Sequence, residues 1–111
     1  MGDFCCKKDV FVIKGDLLEV YFEMGGIPPE SVKTVYFISD VAGISTCCPY
    51  SKVQEGYCLR LDSEVTNTLD PCIGSYDVIV EFVDGNLLTV IREGLFAVLK
   101  TRNSGVEEIH E

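Results

Sequence analysis

A chain of 111 residues with 47% hydrophobic and 24% charged residues is a single-domain globular sequence, not a disordered or fibrous one. Nine Lys and Arg against eighteen Asp and Glu leave a formal charge of −9, which excludes a strongly basic surface and argues against direct nucleic-acid binding, because phosphate recognition needs clustered cations. No run approaches the ~20 apolar residues of a membrane span, and Met1–Lys8 lacks the apolar core of a signal peptide, so synthesis and folding in a cytoplasm, away from membranes, are expected.

In chain order, Val10 to Lys14 reads as a short strand with Phe11 and Ile13 on one face, closed by the turn signal Gly15-Asp16. Leu17 to Met24 follows at period two: Leu18, Val20, Phe22 and Met24 share one face, and Glu19, Tyr21 and Glu23 share the other. Gly25-Gly26-Ile27-Pro28-Pro29 breaks that strand into a loop. Val32 to Ser39, rich in Val, Tyr, Phe and Ile, is the third strand. Asp40 to Gln54 reads as a long loop, or a loop around a weak strand at Ile44 to Cys47.

Gly56 to Leu61 is another strand, with Tyr57, Leu59 and Leu61 on one side. Asp62 or Ser63 then caps a single helical turn across Ser63 to Leu69, which Pro71 closes. From Ile73 to Val90 the pattern is a β-hairpin around Asp84-Gly85-Asn86. Tyr76, Val78, Val80 and Phe82 line one face of its first strand. The second run, Leu87 to Glu93, is expected to turn at Gly94 into Leu95 to Leu99. About seven short strands, frequent turn signals and at most one short helical turn predict an all-β, antiparallel, Ig-like β-sandwich. Residues 1–9 form an N-terminal segment, 10–100 the sandwich and 101–111 a polar tail.

Chemistry is sparse. The six cysteines are Cys5, Cys6, Cys47, Cys48, Cys58 and Cys72. Without a secretion signal they read as reduced thiols, some buried as small hydrophobes. No C-x-x-C pair exists and the single His, His110, lies in the tail, so neither a zinc site nor Cys–His catalysis is expected. Asp84-Gly85-Asn86 has the flavour of a calcium loop, but the remaining ligand positions do not follow. Asp and Gly are the residues that a tight turn with positive φ demands. Tyr21, Tyr36, Tyr50 and Tyr57 are the aromatic candidates for a sugar site. Glu107, Glu108 and Glu111 make the tail acidic. No catalytic residue, cofactor or metal ligand is therefore expected.

Lys14-Gly15-Asp16-Leu17-Leu18-Glu19-Val20, Ser63-Glu64-Val65-Thr66-Asn67-Thr68-Leu69, Gly74-Ser75-Tyr76-Asp77-Val78, Asp84-Gly85-Asn86, Thr89-Val90 and Gly94-Leu95-Phe96-Ala97-Val98 follow one another in an order with a precedent. The succession resembles a small β-sandwich domain of tailed phages and prophages of Gram-positive bacteria, whose best-known relative is the N-terminal domain of the phage baseplate upper protein. The likeness runs from about Val10 to Leu99. It departs where that family has Pro-Gly before the Tyr and this chain has Pro71-Cys72-Ile73-Gly74.

What the resemblance implies is a non-enzymatic, virion-associated structural or assembly protein of the tail or baseplate. Its partners are further copies of itself or neighbouring virion proteins, and no catalytic residue is carried over. The edges Val10 to Lys14 and Leu95 to Leu99 are expected to add strands to such a neighbour. Two other readings stay open. The acidity suits a phage-encoded nucleic-acid mimic of the anti-CRISPR or anti-restriction type, with Glu19, Glu23, Asp77 and Glu81 as the carboxylates to test. A carbohydrate-binding or adhesin module would need a secretion route.

Overall fold

The computed structural model describes residues 8–100, so Cys5, Cys6, His110 and the acidic tail lie outside the described residues. Eight strands form along the chain: β1 (Val10–Ile13), β2 (Leu18–Phe22), β3 (Val32–Ser39), β4 (Ser45–Cys47), β5 (Tyr50–Ser51), β6 (Gly56–Leu61), β7 (Cys72–Phe82) and β8 (Leu87–Leu99). A 3₁₀ turn at Pro29–Ser31 leads into β3, and one α-helical turn, α1 (Ser63–Thr66), joins β6 to β7.

The strands make two sheets, a five-stranded one in the order β1-β8-β7-β3-β4 and a three-stranded one in the order β2-β6-β5. This is an all-β, Ig-like sandwich. The second sheet follows the B-E-D order of that architecture, and β8-β7-β3-β4 follows its G-F-C-C′ order. Antiparallel pairing prevails. The exception is β1, which runs parallel to β8 with Val10 opposite Phe96 and Ile13 opposite Leu99.

Alternation sets which side chains enter the core. In β7, Tyr76, Val78 and Val80 are buried, while Asp77, Ile79 and Glu81 are only partly covered. In β1, Val10 and Val12 turn inward and Phe11 stays outside. Between the sheets the rings of Phe22, Phe37, Tyr76 and Phe96 interlock: Phe37 stacks on Tyr76 with centroids 5.0 Å apart and meets Phe96 edge-on at 5.6 Å. Each such ring removed from water contributes about 1.5–3 kcal/mol, so this cluster is a substantial part of the cohesion of the sandwich.

β8 is one continuous strand, and the expected turn at Gly94 does not occur. Gly94 sits opposite Tyr76 inside the ladder. The glycine is there because the Tyr76 ring covers its α-carbon, leaving no room for a side chain. The departures from regular pairing come just before it, between Tyr76 and Val78 and between Val78 and Ile79 of β7. Glu93 takes a positive φ of 56°, and its N–H donates to Asp77 Oδ1 at 2.8 Å.

β1 also corrects the expectation that Leu95–Leu99 is a free edge. Its parallel ladder covers that stretch, so β1 is itself the edge strand.

Asp62 holds the N-cap position of α1, but its carboxylate caps nothing; it accepts instead from Arg60 Nε at 3.2 Å. The turn is held from outside. Thr66, fully buried, donates its hydroxyl to the Asp16 carbonyl at 2.7 Å, and Lys14 Nζ donates to the carbonyls of Asn67 and Leu69 at 2.8 Å each. The orphaned carbonyls at the C-terminal end thus find a cation.

Candidate functional site

The hairpin turn is built from hydrogen bonds within itself. Gly85 N–H donates to the Phe82 carbonyl and Phe82 N–H to the Asn86 carbonyl, both at 2.9 Å, with Gly85 at φ 93°. This is a three-residue loop closed by a left-handed glycine. Asp84 receives the Asn86 N–H at 2.9 Å and the Asn86 Nδ2 at 3.1 Å, so its carboxylate is occupied in shaping the turn. No group of three or more metal-ligating side chains occurs among the described residues.

The four described cysteines are free thiols. The adjacent pair splits as neighbouring strand residues should, Cys47 exposed and Cys48 buried, and burial pushes the Cys48 thiol up to about 12. A thiol held protonated in this way is a packing residue, not a nucleophile.

The four tyrosines separate. Tyr36, on the outer face of the five-stranded sheet, donates to Glu81 Oε1 at 2.9 Å, and that bond raises its pKa. Tyr21 lies on the other sheet. Tyr50 and Tyr57 do come together, their ring centroids 5.1 Å apart.

That pair lines a concavity of the surface. The chain leaves the five-stranded sheet after β4 and enters the three-stranded one at β5, across Cys48-Pro49. The crossing is bonded to both layers: Cys48 N–H donates to the Val35 carbonyl and the Pro49 carbonyl accepts from Cys58 N–H, each at 2.8 Å.

Below it, β3 has no strand partner on this side among the described residues before the Val35 carbonyl, which Cys48 takes. β4 pairs only with Tyr36 to Ile38, and the remaining residues from Val32 to Val35 flank a cleft of about 380 Å³. Cys48, Pro49 and Tyr57 form its opposite wall. A second hollow of about 280 Å³ continues it past Pro29 and the two tyrosines to Met24, Glu23 and Glu55.

Tyr57 lines both hollows. The residue is only 5% exposed, and its hydroxyl is buried without a hydrogen-bond partner among the described residues. Burial, and the neighbouring Tyr50, raise its pKa. A buried phenol without a partner is uncommon, since burying an unpaired hydroxyl costs about 1–3 kcal/mol. No protein-family model, curated protein or solved structure matches the chain. The site therefore rests on its own geometry.

Tyr50 and Tyr57 are aromatic candidates in the sequence, but nothing in the linear chain joins them to Glu23 or Pro29, which are distant from them. The one visible signal was the breaker Pro49 after two cysteines, which marks where the chain changes sheet.

A second surface stands on the outer face of the five-stranded sheet. Ala97 is flanked in register by Phe11 of β1 and Ile73 of β7, which are 53% and 78% exposed. Leu99 and Leu17 are exposed nearby, beside a shallow hollow of about 230 Å³.

Proposed function

We propose that this protein is a non-enzymatic contact module, a structural or assembly component that works by presenting sandwich surfaces to other polypeptides. The observation that carries this reading is the Phe11–Ala97–Ile73 row, where two large side chains project from a rigid sheet. Exposed apolar groups arranged contiguously are characteristic of surfaces that become buried on association. The order of turn and strand motifs, with its resemblance to tailed-phage sandwich domains, supplies the setting: a virion tail or baseplate, with further copies or neighbouring virion proteins as partners.

Three of the four carboxylates of the nucleic-acid-mimic reading have other employment. Glu19 bridges Arg60 at 3.0 Å, Glu81 accepts from Tyr36, and Asp77 holds the Glu93 amide. A mimic needs its charges free and regularly spaced along one face, so the contact-module reading is the better supported.

The test is sedimentation, of the chain alone and of the chain mixed with tailed-phage tail subassemblies. Association is expected in at least one arm, and Phe11→Asp with Ile73→Asp is expected to abolish it. A strict monomer in both arms overturns the proposal.

A further inference from the structure

We infer that the paired hollows between β3 and the β4–β5 crossing receive an extended segment of a partner polypeptide, its backbone along the open edge of β3 and a Lys or Arg side chain seated between Glu23 and Glu55. This deepens the contact-module reading and rests on it.

Three independent features converge. The first is the backbone. β3 is eight residues long, yet β4 covers only Tyr36 to Ile38 and Cys48 takes the Val35 carbonyl, so the stretch from Val32 to Thr34 beside the larger hollow keeps a strand edge with no partner strand on that side among the described residues. Such an edge is what an added strand requires, and a pleated segment directs alternate side chains into the wall.

The second is charge. The smaller hollow carries two carboxylates, Glu23 and Glu55, and no cation. Lys33, the cation on the wall of the larger one, is drawn off to Glu81 at 3.8 Å. On a chain of charge −9, this end favours an incoming cation.

The third is the Tyr57 hydroxyl. It is buried at the junction of the two hollows with no partner among the described residues, and the half-exposed Tyr50 ring packs beside it. A Lys or Arg seated here would stack on the Tyr50 ring, and a shift of that ring would open the buried phenol to its N–H. An acidic segment would meet like charge and leave the hydroxyl unmatched.

The experiment uses the full chain and synthetic hexapeptides that alternate Val with Lys or Arg, with Val–Glu and Val–Ser series as controls, read by fluorescence anisotropy. The basic series is expected to bind at least about tenfold tighter than either control. Glu23→Lys with Glu55→Lys should abolish that preference. Tyr57→Phe should weaken binding roughly tenfold, the worth of a hydrogen bond to a charged donor, while leaving the thermal midpoint unchanged or higher. That last pairing separates a binding hydroxyl from a structural one.

Equal binding of basic and acidic series, or basic binding indifferent to these substitutions, overturns the inference. So does self-association that the Glu23/Glu55 reversal removes, because the occupant would then be a second copy. If the reversed variant loses the peptides but still joins tail subassemblies, the cleft preference stands apart from that assembly. If wild type binds the peptides and joins nothing in sedimentation, the assembly reading alone fails.

Discussion

Tyr76 lies directly over Gly94, and a β-carbon added at position 94 would come within 2.6 Å of its Cζ. The same ring stacks on Phe37 at 5.0 Å, and its hydroxyl donates to the Lys8 carbonyl. Gly94→Ala should therefore force the ring out of its stack and destabilise the fold by about 1–3 kcal/mol, the usual cost of overpacking. Urea unfolding of the two proteins checks this; equal midpoints would mean that the ring has room to move.

Gly85 tests the hairpin differently, because there is open space where its side chain would be and only the φ of 93° resists substitution. Gly85→Val should lose about 1–3 kcal/mol, and Gly85→Asn much less, since Asn tolerates the left-handed region. For a domain of this size each kcal/mol lowers the melting temperature by about 4–8 °C. Calorimetry that finds the Val variant as stable as wild type contradicts this account of the turn.

Thr66 joins α1 to the turn after β1 through its bond to the Asp16 carbonyl. Thr66→Val keeps the shape, removes the donor and leaves that carbonyl unmatched at a part-buried site. The expected loss is about 1–2 kcal/mol, whereas Thr66→Ser should retain most of the stability. Chemical denaturation of the pair provides the comparison.

Cys48 gives the chain a pH dependence. Its thiol is pushed from an ordinary 9.0 to about 12 by burial. Because the folded value is raised, this contribution to stability is complete below pH 9 and is lost as pH climbs toward 12, since the unfolded chain ionises first. The loss approaches about 1.4 kcal/mol per pH unit in that window. The stability gap between wild type and Cys48→Ala should narrow from pH 8.5 to 10.5 in urea titrations. Site-resolved alkylation of the native protein should label the exposed Cys47 and Cys72 and spare Cys48.

How far the sequence discloses this molecule depends on how local each signal is. β3 and β6 stand at the residues expected of them, because alternation and β-branched content are properties of the strand alone. β5 could not be anticipated: a two-residue strand exists only by virtue of its partner, Tyr50 opposite Tyr57 and Ser51 opposite Gly56. The same is true of the parallel β1–β8 pair, which joins segments more than eighty positions apart and hides an edge that looks free in the linear chain. Gly94 reads as punctuation until the ring that needs its missing side chain is known. The cleft is the extreme case, since Glu23, Pro29, Tyr50 and Tyr57 each have an unremarkable local role and become a site only when two sheets meet.

The irregular pairing in the middle of β8 has a consequence for the protein at high concentration. β1 shields only the stretch from Phe96 to Leu99, so among the described residues the strand from Leu87 to Leu95 has no partner strand on its outer side. A flat, apolar border of that length would template endless stacking of copies into fibrils. The left-handed Glu93, with its amide turned to Asp77, and the register slip beside Val78 break the regularity of that border. A border broken in this way is a poorer template for fibril-like stacking than a flat one, even on a hairpin this long.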